Sequence, residues 1–410
     1  MTSKERILAV WNGEKPDHVP LTTWCFGLLA PQNLRWNNHG HEVKYWYSKR
    51  MEHLHTLPQA WDVEDDFKRV LAWHSLGVDD ILDISVPWSI HPEVSWKDSR
   101  IEPNSSEKYP VMAREYQTPA GSLRHAVRET GEDPGAGWVV QPDHVPLIED
   151  YNIPRAVEHA VSSHSDIPKI KYLFCSPDNK AKEWFTRRIQ RVKEFTDKHI
   201  APVQAWSAFG MDGVVWLTGT EGAIMMAMDE PEAFGKLIDI IAEADLGRTE
   251  LAASFPEVDM VVQRGWYSST DFWSPKLFDD FVYPHIKELA KTAHKYGKKF
   301  GYVMTTGVEI LGSRLAEAGV DVLYFADPIQ DGISLEKARE LSERGMTLVG
   351  GTNSLSLVSG DSNRIHNEVR QAIDILGATN RFILHPVDAL FPDTPWEGIE
   401  QMIEAWRKYR

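Results

Sequence analysis

The chain has 410 residues, enough to bury a large core as one barrel-sized domain or two ordinary ones. Its net charge of −16 (44 basic against 60 acidic residues) argues against a nucleic-acid surface, which needs clustered Lys and Arg. Two cysteines, Cys25 and Cys175, supply neither a disulfide framework nor a Cys-pair zinc motif. The first twenty residues lack an apolar signal core, and no apolar run of about 18 residues occurs, so a cytoplasmic protein with no membrane partner is expected.

Residues 3–12 have the pattern of a short amphipathic helix, with Ile7, Leu8 and Trp11 on one face, Ser3 as N-cap and Gly13 as the stop. PDHVPLTTWCFG then reads as an extended strand. Residues 31–75 are polar, aromatic and histidine-bearing with weak periodicity, an excursion from the main frame. SLGVDDILDISVPW is a turn and a short strand, and 90–150 is a β-rich insertion of short runs broken by Pro and Gly, with a hairpin turn at TPAG (118–121).

From about residue 151 the texture changes to alternating helix and strand. IPRAVEHAVSSHS is expected as helix, IPKIKYLF as an extended connection, NKAKEWFTRRIQRVKEFTDKH as a long amphipathic helix and APVQAWSAF as strand. GVVWLTG is expected to start as strand, with two helices after it. VDMVVQRG is strand, SPKLFDDFVYPHIKELAKTAHKYG a helix broken at Pro284, and residues 296–327 a strand–loop–helix–strand unit ending on Asp327. SLEKARELSERG (helix), MTLVGGTNS (strand), NRIHNEVRQAIDILG (helix), RFILHPVDALFPDTP (strand and loop) and PWEGIEQMIEAWRKYR (helix) complete the run. Such repetition implies a parallel sheet, and its length favours a closed (β/α)8 TIM barrel as one domain over 1–410. No glycine-rich nucleotide motif opens a helix. Parallel α/β folds place their chemistry at strand C-termini, which here offer Gln263, Arg264, Tyr302, Met304, Asp327, Asn353 and His385. Sixteen tryptophans are available for core packing or for lining a pocket for flat apolar ligands, Trp24 among them.

The N-terminal 20 residues, TEGAIMMAMDEPEAFGKLID, SPKLFDDFVYPHIKEL, the 296–327 unit, LVGGTNSLSLV and RFILHPVDALFPDTPWEGIEQMIEAW together resemble, in order and over most of the chain, the uroporphyrinogen decarboxylase superfamily. The resemblance implies a (β/α)8 barrel and one of two activities. Its decarboxylase branch carries an arginine-rich signature after the N-terminal VP for the porphyrin carboxylates. Here the corresponding LTTWCFGLLAPQ is apolar, and no arginine follows that VP until Arg35. Its methyltransferase branch passes methyl groups to or from corrinoid carriers. The thiol-methylating members hold zinc with a His-x-Cys pair and a later Cys, which align with Met304, Thr306 and His385.

A thiolate zinc site is therefore not available, and the resemblance leaves oxygen and nitrogen donors: Glu221, Asp327 and His385. Each has a structural alternative, namely a helix cap for Glu221, loop-amide bonding for Asp327 and a solvent-facing loop position for His385. The expected activity is transfer of a methyl group from a small aromatic methyl ether to cobalamin on a corrinoid protein. Tyr302, Arg264 and Asp327 assist the reaction, and Trp24, Gln263, Met304 and Asn353 contact the donor. Arg264 alternatively pairs with Asp327 or Asp271 as a salt bridge. The competing readings are a metal-free decarboxylase or lyase for a small acid and a non-catalytic tetrapyrrole- or corrinoid-binding protein. Analogy with such barrels suggests a homodimer.

Overall fold

The computed structural model describes residues 1–25, 28, 31–34, 63–128, 148, 150–391 and 393–410. The expected excursion over 31–75 falls mostly on residues outside this set, as does WVVQPDH of the insertion. Among the described residues there are eleven strands: β1 (Leu82–Ser85), β2 (Ser95–Ile101), β3 (Val111–Thr118), β4 (Gly121–Arg128), β5 (Ala156–Glu158), β6 (Val203–Ala208), β7 (Met260–Gln263), β8 (Lys299–Val303), β9 (Val322–Ala326), β10 (Thr347–Asn353) and β11 (Phe382–Val387). Seven of them form one parallel sheet, in the order β1-β6-β7-β8-β9-β10-β11. The segment Leu21–Cys25 runs parallel beside β11 through bridges at Leu21–Leu384 and Cys25–Leu390.

The sheet is curled into a half-barrel, consistent with a TIM-like fold. β9 lies three strands from β6, about 14 Å along a flat sheet, yet the Tyr324 hydroxyl donates to Gln204 Oε1 at 2.8 Å. Side-chain alternation separates two apolar layers. Met260, Val262, Val303, Val322, Tyr324, Val349, Ile383 and Val387 pack together inside the curl, with Ile7, Val10 and Trp11. Their neighbours Val261, Phe300, Tyr302, Leu323, Leu348 and Leu384 pack outward against the helices. Each buried aliphatic side chain contributes about 1.5–3 kcal/mol.

The N-terminal helix, Ser3–Asn12, closes the end where the strands begin. Thr347 Oγ1, at the start of β10, donates to Val10 O at 3.0 Å. Lys4 pairs with Asp259 just before β7, and Arg6 with Asp79 just before β1. Its N-cap is Thr2 rather than Ser3: Thr2 accepts from Glu5 N while Glu5 accepts from Thr2 N, a reciprocal capping box. Gly13 ends it in the left-handed region, as expected. The C-terminal ends of the strands are thus the face left for a site.

The insertion is an antiparallel sheet in the order β2-β3-β4-β5, turning between Thr118 and Gly121 as TPAG predicts. Three expected elements differ. GVVWLTG belongs to a helix, Met211–Thr218, buried along its whole length, and an all-apolar run does not distinguish a buried helix from a buried strand. IPRAVEH gives a 3-10 turn and then β5, because Ala156 and Glu158 add to the open edge of β4. IPKI is a single helical turn, Ile167–Ile170, with Pro168 near its start. Among the described residues no helix is long and apolar enough to cross a membrane.

Candidate functional site at the C-terminal face of the sheet

A row of packed aromatic rings lines this face. Trp24 is fixed by its backbone, which accepts from Leu390 N at 2.7 Å. Its indole stacks on Tyr324 (4.8 Å between centroids, 24°) and meets Phe325 at 4.9 Å, Trp206 at 5.2 Å, His385 at 5.6 Å and Trp266 at 6.0 Å. Trp206, on β6, lies parallel to Trp266 (6.1 Å, 16°), which sits in the turn after β7. These are favourable ring separations. Trp24 is buried, whereas Trp206 and Trp266 are half-buried and keep accessible surface.

The row continues through a cation. Arg264 places its guanidinium 4.7 Å from the Trp266 centroid and 5.1 Å from that of Trp216, within cation–π range of both indoles. Arg264 Nε donates to Asp212 Oδ2 at 3.2 Å, and the fully buried Asp212 also accepts from Tyr267 N at 3.0 Å, fixing the turn that carries Trp266.

Beneath the rings runs a buried polar chain. Asp83 Oδ1 accepts from Trp206 Nε1 (2.8 Å) and from Gln204 Nε2, Asp83 Oδ2 from Arg69 Nη2 (3.1 Å), and Gln204 Oε1 from Tyr324. Arg69 also donates to Asp80 and to Ile81 O. Burial pushes Asp80 up to about 7 against the pull of Arg69, and raises Asp83 and Tyr324 as well. Desolvation prevails because one guanidinium serves two carboxylates away from water.

His385 is fully buried, not solvent-facing. Its Nδ1 lies 3.1 Å from Thr22 Oγ1 and its Nε2 3.4 Å from Asp388 O, and burial lowers its pKa to about 3, leaving a neutral imidazole. Asp327 accepts from Asn353 Nδ2 (2.7 Å) and from Ile329 N (2.8 Å), the loop-amide role among its alternatives. Asn353 also donates to Gln330 and caps the next helix by accepting from Leu355 N. Nearby Asp331 accepts from Gly307 N, and burial raises it to about 6.

The remaining expected residues lie elsewhere. Tyr302 and Met304 are fully buried in the outer layer, and the Tyr302 hydroxyl meets Ser268 Oγ at 2.5 Å. Gln263 also faces outward and lines a small crevice with Gly210, Asp245 and His285. Glu221 is exposed in the first turn of the helix Thr220–Asp229. Arg264 pairs with Asp212, not with Asp327 or Asp271. The structure therefore gathers Trp24, His385 and Arg264 along one aromatic row and joins Asp327 to Asn353, while Tyr302, Met304, Gln263 and Glu221 stay apart from it. Sequence reasoning missed Trp206, Trp266, Tyr324, Phe325 and Asp83. The one signal was Asp83 itself, a carboxylate inside the apolar run ILDISV.

Among the described residues no three His, Cys, Asp or Glu side chains converge as a metal site. Glu221, Asp327 and His385 do not fit a zinc ion: Glu221 is on an outer helix, Asp327 is held by Asn353 and a loop amide, and both His385 nitrogens face protein oxygen atoms.

The comparison with curated proteins gives no match. Among solved structures, a methyltransferase from Methanosarcina mazei superposes with a TM-score of 0.59 over 100% of this chain and 99% of that one, at 17% identity, a likeness of fold. The sequence pattern of one family, uroporphyrinogen decarboxylase (URO-D), matches residues 203–409, from β6 to the C-terminal helix. That span holds six of the seven sheet strands and all of the ring row except Trp24, and the chain belongs to the uroporphyrinogen decarboxylase family.

Proposed function

We propose that this chain is a methyltransferase that takes a methyl group from a small aromatic methyl ether and delivers it to a corrinoid-bearing partner protein. The observation that carries this reading is the parallel pair Trp206 and Trp266, half-buried beside the ring cluster at the strand C-termini. Aromatic side chains that keep accessible surface suit a flat apolar donor. Porphyrinogen binding would need several cations for its carboxylates. Among the described residues, Arg264 at this face is already engaged by Asp212, and Arg248 by Asp245 and the carbonyls of Val86 and Trp206. Family membership and the fold likeness to a methyltransferase support the reaction class. We take Leu21–Cys25 as the eighth staff of a (β/α)8 barrel opening at this face.

On this reading the chain's contribution is orientation and water exclusion. Trp206 and Trp266 fix the donor ring, Asp83 holds the Trp206 indole by its N–H, and Trp24, Tyr324 and Phe325 form a dry floor. The partner's reduced cobalamin supplies the methyl acceptor. The methyl–oxygen bond breaks, the methyl group leaves with the acceptor, and the aryl oxygen takes a proton from solvent to depart as a phenol.

The test is to incubate the protein with reduced cobalamin and a panel of methoxyarenes, following methylcobalamin absorbance and phenol release. Methyl transfer from at least one donor, reduced at least tenfold by Trp206→Ala, is the expected result. No transfer across a broad panel refutes the reading, and release of CO2 from a small acid instead moves the chain to the decarboxylase alternative.

A further inference from the structure

Arg264 invites the assignment of a clamp for a substrate carboxylate, but its surroundings point to another task. The guanidinium packs over two indoles, Trp266 at 4.7 Å and Trp216 at 5.1 Å. Asp212 holds its Nε and, through Tyr267 N, the turn on which Trp266 stands. Trp266 contacts both Arg264 and the parallel ring of Trp206. Trp216 is buried on the helix Met211–Thr218, so it anchors the outer end of the stack.

Trp216, Arg264, Trp266 and Trp206 form a chain of contacts that ties the helix Met211–Thr218 to β6, and Trp24 meets both Trp206 and Trp266. A planar cation packed over two indoles resists their rotation through broad contact, which an ammonium cannot do in the same way.

We infer that Arg264 is a positioning residue: it locks the plane of Trp266, and so the aromatic wall, by packing its planar guanidinium over both Trp266 and Trp216 while Asp212 holds it and the turn. This rests on the reading that the wall holds the donor ring. It predicts that the group matters for its shape more than for its charge, and equally for neutral and anionic donors.

The test compares the wild type with Arg264→Lys, which keeps the charge beside Asp212 but loses the plane, and with Arg264→Met. In ligand-free protein, near-ultraviolet circular dichroism and acrylamide quenching report the indoles. Arg264→Lys is expected to change both signals in the wild-type background and to a clearly smaller extent in a Trp266→Phe background, where only the contact with Trp216 remains. An unchanged folded far-ultraviolet spectrum confirms that the variants fold. Fluorescence titration with guaiacol (neutral) and 4-methoxybenzoate (anionic) then gives affinities. Both variants are expected to weaken the two ligands alike, by about tenfold. Selective loss of the benzoate in Arg264→Met, with Arg264→Lys retaining it, makes Arg264 a charge clamp and overturns the inference. Indole signals in Arg264→Lys identical to wild type overturn it irrespective of ligand. Failure of the wild type to bind either arene counts against the aryl-ether reading instead, and the ligand-free signals still decide the role of Arg264.

Discussion

Replacing Asp83 by Ala removes the acceptor at the centre of the buried polar chain. Three donors lose a partner: Trp206 Nε1, Gln204 Nε2 and Arg69 Nη2. They are not equally exposed to the loss. Trp206 is half-buried, and its N–H can be rehydrated. Arg69 keeps Asp80 and Ile81 O. Gln204 is fully buried, so its amide N–H stays without an acceptor unless the side chain turns away from Tyr324. Leaving a buried donor unsatisfied costs about 1–3 kcal/mol, and removing one partner of a buried ion pair about 3–5 kcal/mol. The relief of excess negative charge beside Asp80 partly offsets this, because burial raises both carboxylates. The expected net loss is about 3 kcal/mol for Asp83→Ala and about 1 kcal/mol for Asp83→Asn, which keeps an acceptor for Trp206. Guanidinium chloride unfolding measures both. An Asp83→Ala variant within about 0.5 kcal/mol of wild type would show that the chain is not the organising element of the wall.

Gly265→Ala places a methyl group 2.5 Å from the Tyr302 hydroxyl and 2.6 Å from Val303 O; a loss of about 2–3 kcal/mol, read as a lower Tm, is expected, and no change would refute the contact. Tyr302→Phe costs about 1 kcal/mol, since Ser268 keeps its bond to Gly265 O, and any methyl-transfer activity stays within a few-fold of wild type. Collapse of that activity would place Tyr302 at the chemistry. His385, whose pKa is lowered to about 3, binds a proton more readily unfolded than folded. Its contribution to stability is complete above about pH 6.5 and is lost as pH falls toward 3, at up to about 1.4 kcal/mol per pH unit. Asp80, raised to about 7, works in the opposite sense: its stability is present below about pH 4 and lost as pH rises through 7. Stability curves of His385→Gln and Asp80→Asn should therefore depart from wild type in opposite directions between pH 4 and 7, and parallel curves would contradict both assignments.

The frame of the fold was legible because its signals are local and repeated. Gly13 and Gly319 stop their helices in the left-handed region, Pro284 lies just after the break at Val282, and TPAG turns between β3 and β4. Asp327 and Asn353 were legible as strand-end residues, and the pairing of β9 with β10 is what brings them together. The row of rings was not legible, because its members come from five separate segments: Trp24 before the sheet, Trp206 on β6, Trp266 in a turn, Tyr324 and Phe325 on β9, and His385 on β11. Only the curl of the sheet brings them within about 5–6 Å, and curl is not a local property of sequence.

Reading residues at strand ends carries a second difficulty, and it is physical. A strand with one wet face alternates polar and apolar residues, so its facing is written in the pattern. β7, β9 and β11 are buried on both faces and read as continuous apolar runs, and β8 nearly so. Proximity to a strand's C-terminus is then visible, but the side of the sheet is not. Gln263 and Tyr302 are one residue out of step with Val262 and Val303, and that single step sends them into the helix layer while the inner positions face the curl. The informative residue in such a strand is one whose chemistry cannot tolerate the helix layer without partners. Asp83 in LDIS is that residue: a carboxylate buried in mid-strand must find donors, and the donors it finds, Gln204 and Trp206, stand two residues apart on the neighbouring strand. That spacing fixes which face of β6 points inward. It places Trp206 on the ring row and, with Tyr324 bound to Gln204, turns β9 the same way. One buried charge thus carries the facing information that the apolar runs around it lack.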